Sequence, residues 1–169
     1  MTDPSTGTRI KAFYDLKVQD IMDKQLSDLP VVEKTANLDQ VFFVLSEKNH
    51  VWVVETKETM KVVGVITEHD ALSLLSPADV SAHTFSRPNL RSLQYGIEST
   101  AEEIMSKKPI TVSYDDSIVN VLAKMKQYRV RRLPVVDKKH TLIGELTLHH
   151  LIYQYQKEHG LVSKQEKTQ

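Results

Sequence analysis

The chain has 169 residues, 40% of them apolar and 26% charged, with 22 basic side chains balanced by 22 acidic ones and no cysteine. Zero formal net charge and a pI near 7.1 argue against a dedicated nucleic-acid or anionic-membrane binder, which needs a net basic surface. Without cysteine there is no disulfide, thiol nucleophile or thiolate metal site.

The N-terminus, MTDPSTG, is polar and acidic and does not read as a signal peptide. No apolar run approaches the roughly 18 residues of a membrane span, and the ends of the chain predict a cytoplasmic protein. The first helical signal is VQDIM at 18–22. Pro30-Val31-Val32 follows as a short β-rich run. Leu38, Val41, Phe42 and Leu45 fall at i, i+3, i+4 and i+7, one apolar helical stripe, with Thr35 or Asn37 as its cap. Val51-Trp52-Val53-Val54 and Val62-Val63-Gly64-Val65-Ile66, joined by the polar turn ETKETMK, predict a hairpin. A second helix, EHDALSLL, begins after Thr67.

The same order then returns. AEEIM at 101–105 precedes Ile110-Thr111-Val112, and Ile118, Val121, Leu122 and Met125 repeat the stripe with Asp115, Asp116 or Ser117 as cap. Leu133-Pro134-Val135-Val136 and Leu142-Ile143-Gly144-Glu145-Leu146 flank the turn DKKHT, and LHHLIYQYQ closes the copy. GVITEHD at 64–70 and GELTLHH at 144–150 share one frame. A unit this small is marginal alone. Two copies packed about a pseudo-two-fold axis, with two equivalent crevices between their sheets, answer that. The predicted fold is mixed α/β (α+β): two pseudo-two-fold-related repeats, each a small three-stranded sheet with flanking helices. Repeat 1 is placed at 10–80, an inter-repeat insertion at 81–97, repeat 2 at 98–160 and a polar tail at 161–169. The wider linker, 77–100, carries Phe85, Leu90, Leu93 and Tyr95 as apolar anchors. It is expected to pack as a surface insertion, or to cover a crevice mouth or pad a dimer surface.

Four polar groups invite a chemical reading. Asp70 lies one helical turn beyond Thr67, where a carboxylate can accept from two vicinal hydroxyls; Thr and Asp at a helix start are equally common caps. His150 holds the matching place, and a neutral imidazole offers one donor and one acceptor. It can pack, stay exposed, or contact phosphate when protonated. Tyr128-Arg129-Val130-Arg131-Arg132 puts three arginines in four residues, either a solvated loop or forks for phosphate oxygens. His149 and His150 point about 100° apart on a helix and cannot easily share a metal. No P-loop, catalytic triad or H-E-x-x-H is present, so neither an enzyme nor a metal site is expected.

D-I-M near a repeat start, P-I-T-V, R-L-P-V-V-D and G-x-x-T-x-x-D closing the first unit resemble the CBS domain, and the tandem arrangement resembles a CBS pair, or Bateman module, over 15–76 and 98–158. The resemblance implies a regulatory module, here stand-alone, that binds an adenosine nucleotide (AMP, ADP or ATP) between its repeats. It also implies a homodimer that signals to a separate, unknown protein target. In that reading Asp70 holds ribose, with Thr67 near ribose or phosphate, adenine lies near Val31, Val32 and Val53, and Arg131 or Arg132 meets the phosphates. The second crevice keeps Ile110, Thr111 and Val112 but has Thr147 and His150 at its frame, so unequal sites are expected, with Asp70 marking the nucleotide site. S-adenosylmethionine or methylthioadenosine is a variant ligand. The alternative of another class is a dimerisation scaffold with degenerate or empty crevices. No cofactor is required, and neither nucleic acid nor membrane is a partner in this reading.

Overall fold

The structure, a computed structural model, describes residues 4–77 and 99–158; the expectations for Phe85, Leu90, Leu93, Tyr95 and the tail fall outside the described residues. Two compact units emerge, one of residues 28–109 and one of residues 1–27 with 110–169.

In the 28–109 unit, β1 (Val31–Glu33) runs parallel to β2 (His50–Val54), β3 (Val62–Thr67) returns antiparallel to β2, and β4 (Ser106–Lys107) adds to β3. The helix α3 (Leu38–Glu47) connects β1 to β2, and α4 (Glu68–Leu75) follows β3. The predicted sheet had three strands; the fourth comes from the residues after α5 (Ala101–Ile104), the AEEIM segment. In the other unit β5 (Val112–Ser113), β6 (Arg132–Val136) and β7 (Leu142–Thr147) repeat the three-stranded pattern. There α6 (Ile118–Tyr128) links β5 to β6, and α7 (Leu148–Glu158) follows β7. This unit also holds α1 (Pro4–Asp15) and α2 (Val18–Ile21).

Both stripes fold as the spacing predicts, because each helix has a cap and an apolar face. Asn37 Oδ1 accepts from the Gln40 N–H at 3.0 Å, while the Asn37 N–H donates to Gln40 Oε1 at 3.1 Å. This reciprocal box satisfies two donors that a helix start would otherwise leave bare. Ser117 Oγ accepts from the Asn120 N–H at 3.2 Å. Val41 with Val51, Val53 and Ile66 forms one core; Ile118 and Val121 with Leu133, Val135 and Leu146 form the other.

Each of the two helical segments, VQDIM and AEEIM, docks on the repeat that it does not directly precede. The AEEIM segment docks back on repeat 1: Ala101 and Glu102 N–H donate to the Ala36 and Lys34 carbonyls at 2.8 and 2.9 Å. The VQDIM segment docks on repeat 2, 90-odd residues on: Val18 and Gln19 N–H donate to the Asp116 and Tyr114 carbonyls at 3.0 and 2.8 Å. Asp23 and Glu145 then exchange two backbone hydrogen bonds, at 2.9 and 3.1 Å. This accounts for the glycine of the repeated frame. Met105 lies over Gly64, and Met22 with the Asp23 carbonyl lies over Gly144, so a Cβ at either position would collide. The glycines admit a close neighbour rather than a turn.

Candidate functional site

The first residue of each central strand is paired with the threonine that ends the next: His50 with Thr67 and Arg132 with Thr147. One turn into the following helix stand Asp70 and His150. Strand pairing therefore gathers His50, Thr67 and Asp70 at one end of the first sheet, and Arg132, Thr147 and His150 at the matching end of the second.

Asp70 Oδ2 accepts from both the Thr67 N–H and the Thr67 hydroxyl, each at 2.8 Å. Among the described residues its other oxygen takes no hydrogen bond, and the side chain is half-buried. One carboxylate oxygen thus closes the helix start and the other remains able to accept. In the second unit His150 Nδ1 accepts from the Thr147 N–H at 3.3 Å, and the His150 N–H donates to Thr147 Oγ1 at 3.2 Å. The arrangement needs the proton on Nε2, so the remaining ring nitrogen is a donor. Aspartate and histidine thus cap their helices alike but present opposite hydrogen-bonding character outward.

His50 is only 4% exposed and meets Trp52 edge-on at 5.1 Å between ring centroids. Trp52 is the sole tryptophan of the chain. Strand register makes His50 the counterpart of Arg132, the last residue of the arginine cluster. The cluster itself is dispersed. Arg129 is the left-handed C-cap of α6, with φ of 54°. Arg131 is exposed, and its carbonyl accepts from the Leu148 N–H at 2.7 Å. Arg132, half-buried, is the one arginine inside the strand.

The apolar positions separate. Val53 is 0% exposed and Val112 1%, both within their cores, so their side chains have no face left for a ligand. Val31 and Val32 line an open cleft of about 690 Å³ that Thr67 and Asp70 do not line. Ile110 and Thr111 are half-buried, and the Thr111 carbonyl accepts from Lys124 Nζ at 3.1 Å. The expected neighbours of one ligand are therefore not assembled around one visible cavity within either unit.

The CBS domain family model matches residues 18–77 and 101–157. The chain belongs to the CBS domain family. Among solved structures this CBS protein is similar to CBSX2 in complex with AMP, with a TM-score of 0.65 and 24% identity over 83% of this chain and 96% of that one. It is also similar to the CBS domain pair of protein MJ0100 in complex with 5′-methylthioadenosine and S-adenosyl-L-methionine, with a TM-score of 0.62 and 23% identity over 85% and 98% of the two chains. These likenesses establish the fold. Arabinose 5-phosphate isomerase KdsD of Francisella tularensis is 27% identical over 81% of this chain, which spans 37% of that enzyme's length. Among the described residues no helix is long and apolar enough to cross a membrane, and no group of three or more His, Cys, Asp or Glu side chains could hold a metal ion.

Proposed function

We propose that this CBS protein is a regulatory module that binds an adenosine nucleotide and passes the binding event to a separate protein. The observation that carries this reading is the Asp70 carboxylate: it is half-buried, one oxygen is held by Thr67, and the other is open where two vicinal hydroxyls could donate. The CBS pairs of like fold described above bind AMP in one case and methylthioadenosine with S-adenosylmethionine in the other, which supports an adenosine-bearing ligand. Arg131 and Arg132 are the proposed phosphate donors, and they favour AMP, ADP or ATP over the sulfonium or thioether ligands. A homodimer in the cytoplasm is the expected state. Sugar isomerisation is proposed to belong to the part of KdsD that this chain does not match. Any signal requires that the ligand bind one arrangement of the protein better than another.

Calorimetric titration of AMP into the protein and into Asp70→Ala tests the reading. Hydrogen bonds to a charged acceptor are worth about 1.5–3 kcal/mol each, so the variant should bind at least about tenfold more weakly. Trp52, beside His50, gives a second readout by fluorescence. Arg132→Ala should weaken AMP and leave adenosine unchanged. A scaffold without ligand is the second reading, favoured by His150: the second unit keeps its cap after losing the carboxylate. Absence of heat and of any thermal shift with AMP, ATP and S-adenosylmethionine would favour that second reading over the first.

A further inference from the structure

The 690 Å³ cleft lies within the 28–109 unit and has an internal template. It runs along the edge strand β1 and the outer face of α3, and its walls include Val31, Ala36, Phe43 and Val44, with Glu33, Asp39 and Lys57. Matching strand registers, Val32 on Val53 and Val112 on Val135, set Val31 against Thr111, Ala36 against Asp116 and Val44 against Lys124.

In the other unit Lys124 stands at the matching position of α6 and reaches back to the residue before β5 and the turn after it. Its ammonium donates to the Thr111 carbonyl at 3.1 Å and to Asp116 Oδ2 at 3.3 Å. In the 28–109 unit both partners of that ion pair are replaced by small apolar residues, Ala36 and Val44, and the groove stands open. The acceptor carbonyl persists. The Trp52 N–H donates to the Pro30 carbonyl and the Lys34 N–H to the Val54 carbonyl. Even-numbered positions of β1 therefore face β2, and the Val31 carbonyl faces away from the sheet.

Two side chains that the other unit lacks join the cleft. Asp39 and Phe43, one turn apart on α3, stand where Val119 and Ala123 stand in α6. Phe43 is 75% exposed, and Asp39 is exposed and, among the described residues, makes no hydrogen bond or ion pair. Glu33 accepts the Lys57 backbone N–H at 2.7 Å. An exposed aromatic ring, a free carboxylate and an outward carbonyl over an apolar floor are complementary to a cation on an apolar stem. The volume is that of a small-molecule site.

We propose that this cleft binds a small organic ammonium ion, its ammonium group taking the place that Lys124 Nζ holds in the other unit and its apolar stem lying on Val31, Ala36 and Val44. The site is distinct from Asp70 and does not depend on the nucleotide reading.

The test is titration of n-pentylammonium into the isotopically labelled protein, followed by amide chemical shifts, with 1-pentanol and pentanoate as controls. Saturable shifts centred on Val31, Asp39, Phe43 and Val44 are expected, with at least about tenfold weaker binding of the alcohol and the acid, since one charge-assisted hydrogen bond is worth about a decade. Asp39→Asn, at an exposed position, should weaken the ammonium several-fold and leave the alcohol unchanged. Ala36→Asp with Val44→Lys, which transplants the other unit's ion pair, should abolish binding while the protein stays folded. Equal binding of the three probes, no saturable shift, or undiminished binding by Asp39→Asn overturns the proposal. So do shifts at these residues that follow protein concentration alone, which would make the cleft a contact between two copies.

Discussion

In the 28–109 unit the helix after the hairpin starts on a carboxylate, and the groove beside β1 is open; in the other unit that helix starts on an imidazole, and Lys124 reaches from α6 to the Thr111 carbonyl and Asp116. The strand registers are the same, down to an irregularity between Val53 and Val54 and another between Val135 and Val136. The fold therefore asks little of these positions. The third residue of the helix needs only an acceptor for the threonine N–H, and Asp and His both supply one. The groove needs only an ion pair or an apolar lining. Chemistry has been free to diverge on an unchanged frame, which is why the two copies can differ in charge without differing in topology.

The largest expected effects test whether the units are equally dependent on their cores. Leu74, 3% exposed, and Leu151, 2% exposed, each anchor the helix that follows the hairpin of one unit. Leu74→Ala and Leu151→Ala should each cost about 2–5 kcal/mol in urea unfolding. If the units unfold as one, either variant shifts a single transition; if not, each moves its own.

Next come the glycines. Gly144→Ala drives a methyl group into the Asp23 backbone and should cost about 1–3 kcal/mol. Gly64→Ala meets only the side chain of Met105, which can change rotamer, so its cost should be smaller. Equal losses would remove this difference between the units.

Exchanging the caps tests the comparison directly. Asp70→His should retain the helix start, changing stability by no more than about 1 kcal/mol, while lowering AMP affinity at least about tenfold. His150→Asp should leave stability similar and give the second unit a carboxylate, read as a second equivalent of AMP bound. Calorimetry and thermal unfolding together separate the two consequences.

The smallest effect lies in the hairpin turns. The N–H of Thr141, and then that of Lys139, hold the Asp137 carboxyl below the usual carboxylate range. A depressed value means that the contribution is present above the ordinary Asp range and is lost as pH falls through the lowered one. Asp137→Asn and the parent should therefore differ slightly at neutral pH and converge in acid. Asp137 is half-buried in an open turn, so solvent screens its charge and the difference should sit near the resolution of a thermal melt.

Much of this was legible in the sequence. The two apolar stripes, the hairpins and the caps follow from local spacing and side-chain chemistry, and Asn37 and Ser117 were among the candidate caps. Position-by-position correspondence was harder to read. An offset of 80 holds from Leu38 to Ile118 and from Gly64 to Gly144, but the central strands pair at 82, His50 with Arg132. The longer end of α6 is offset by a shorter turn, and only the hydrogen-bonded register reveals it. Which sheet each helical segment joins was not legible at all, since VQDIM and AEEIM carry the same local signal and the choice is made by tertiary packing. The open cleft had a trace in the sequence, Ala36 and Val44 against Asp116 and Lys124, but a side chain's reach to a carbonyl thirteen residues away is a property of the fold.

The docking of residues 18–23 on the second repeat means that the gene has no single cut that yields two intact halves. A fragment encoding 28–109 retains every edge of its own sheet. Division at the linker would instead leave Met22 and Asp23 joined to the wrong half and bare the Gly144 edge of β7. The second unit becomes a continuous polypeptide once residues 4–27 and 110–158 are joined, either in their own order or in a permuted gene with 110–158 encoded first.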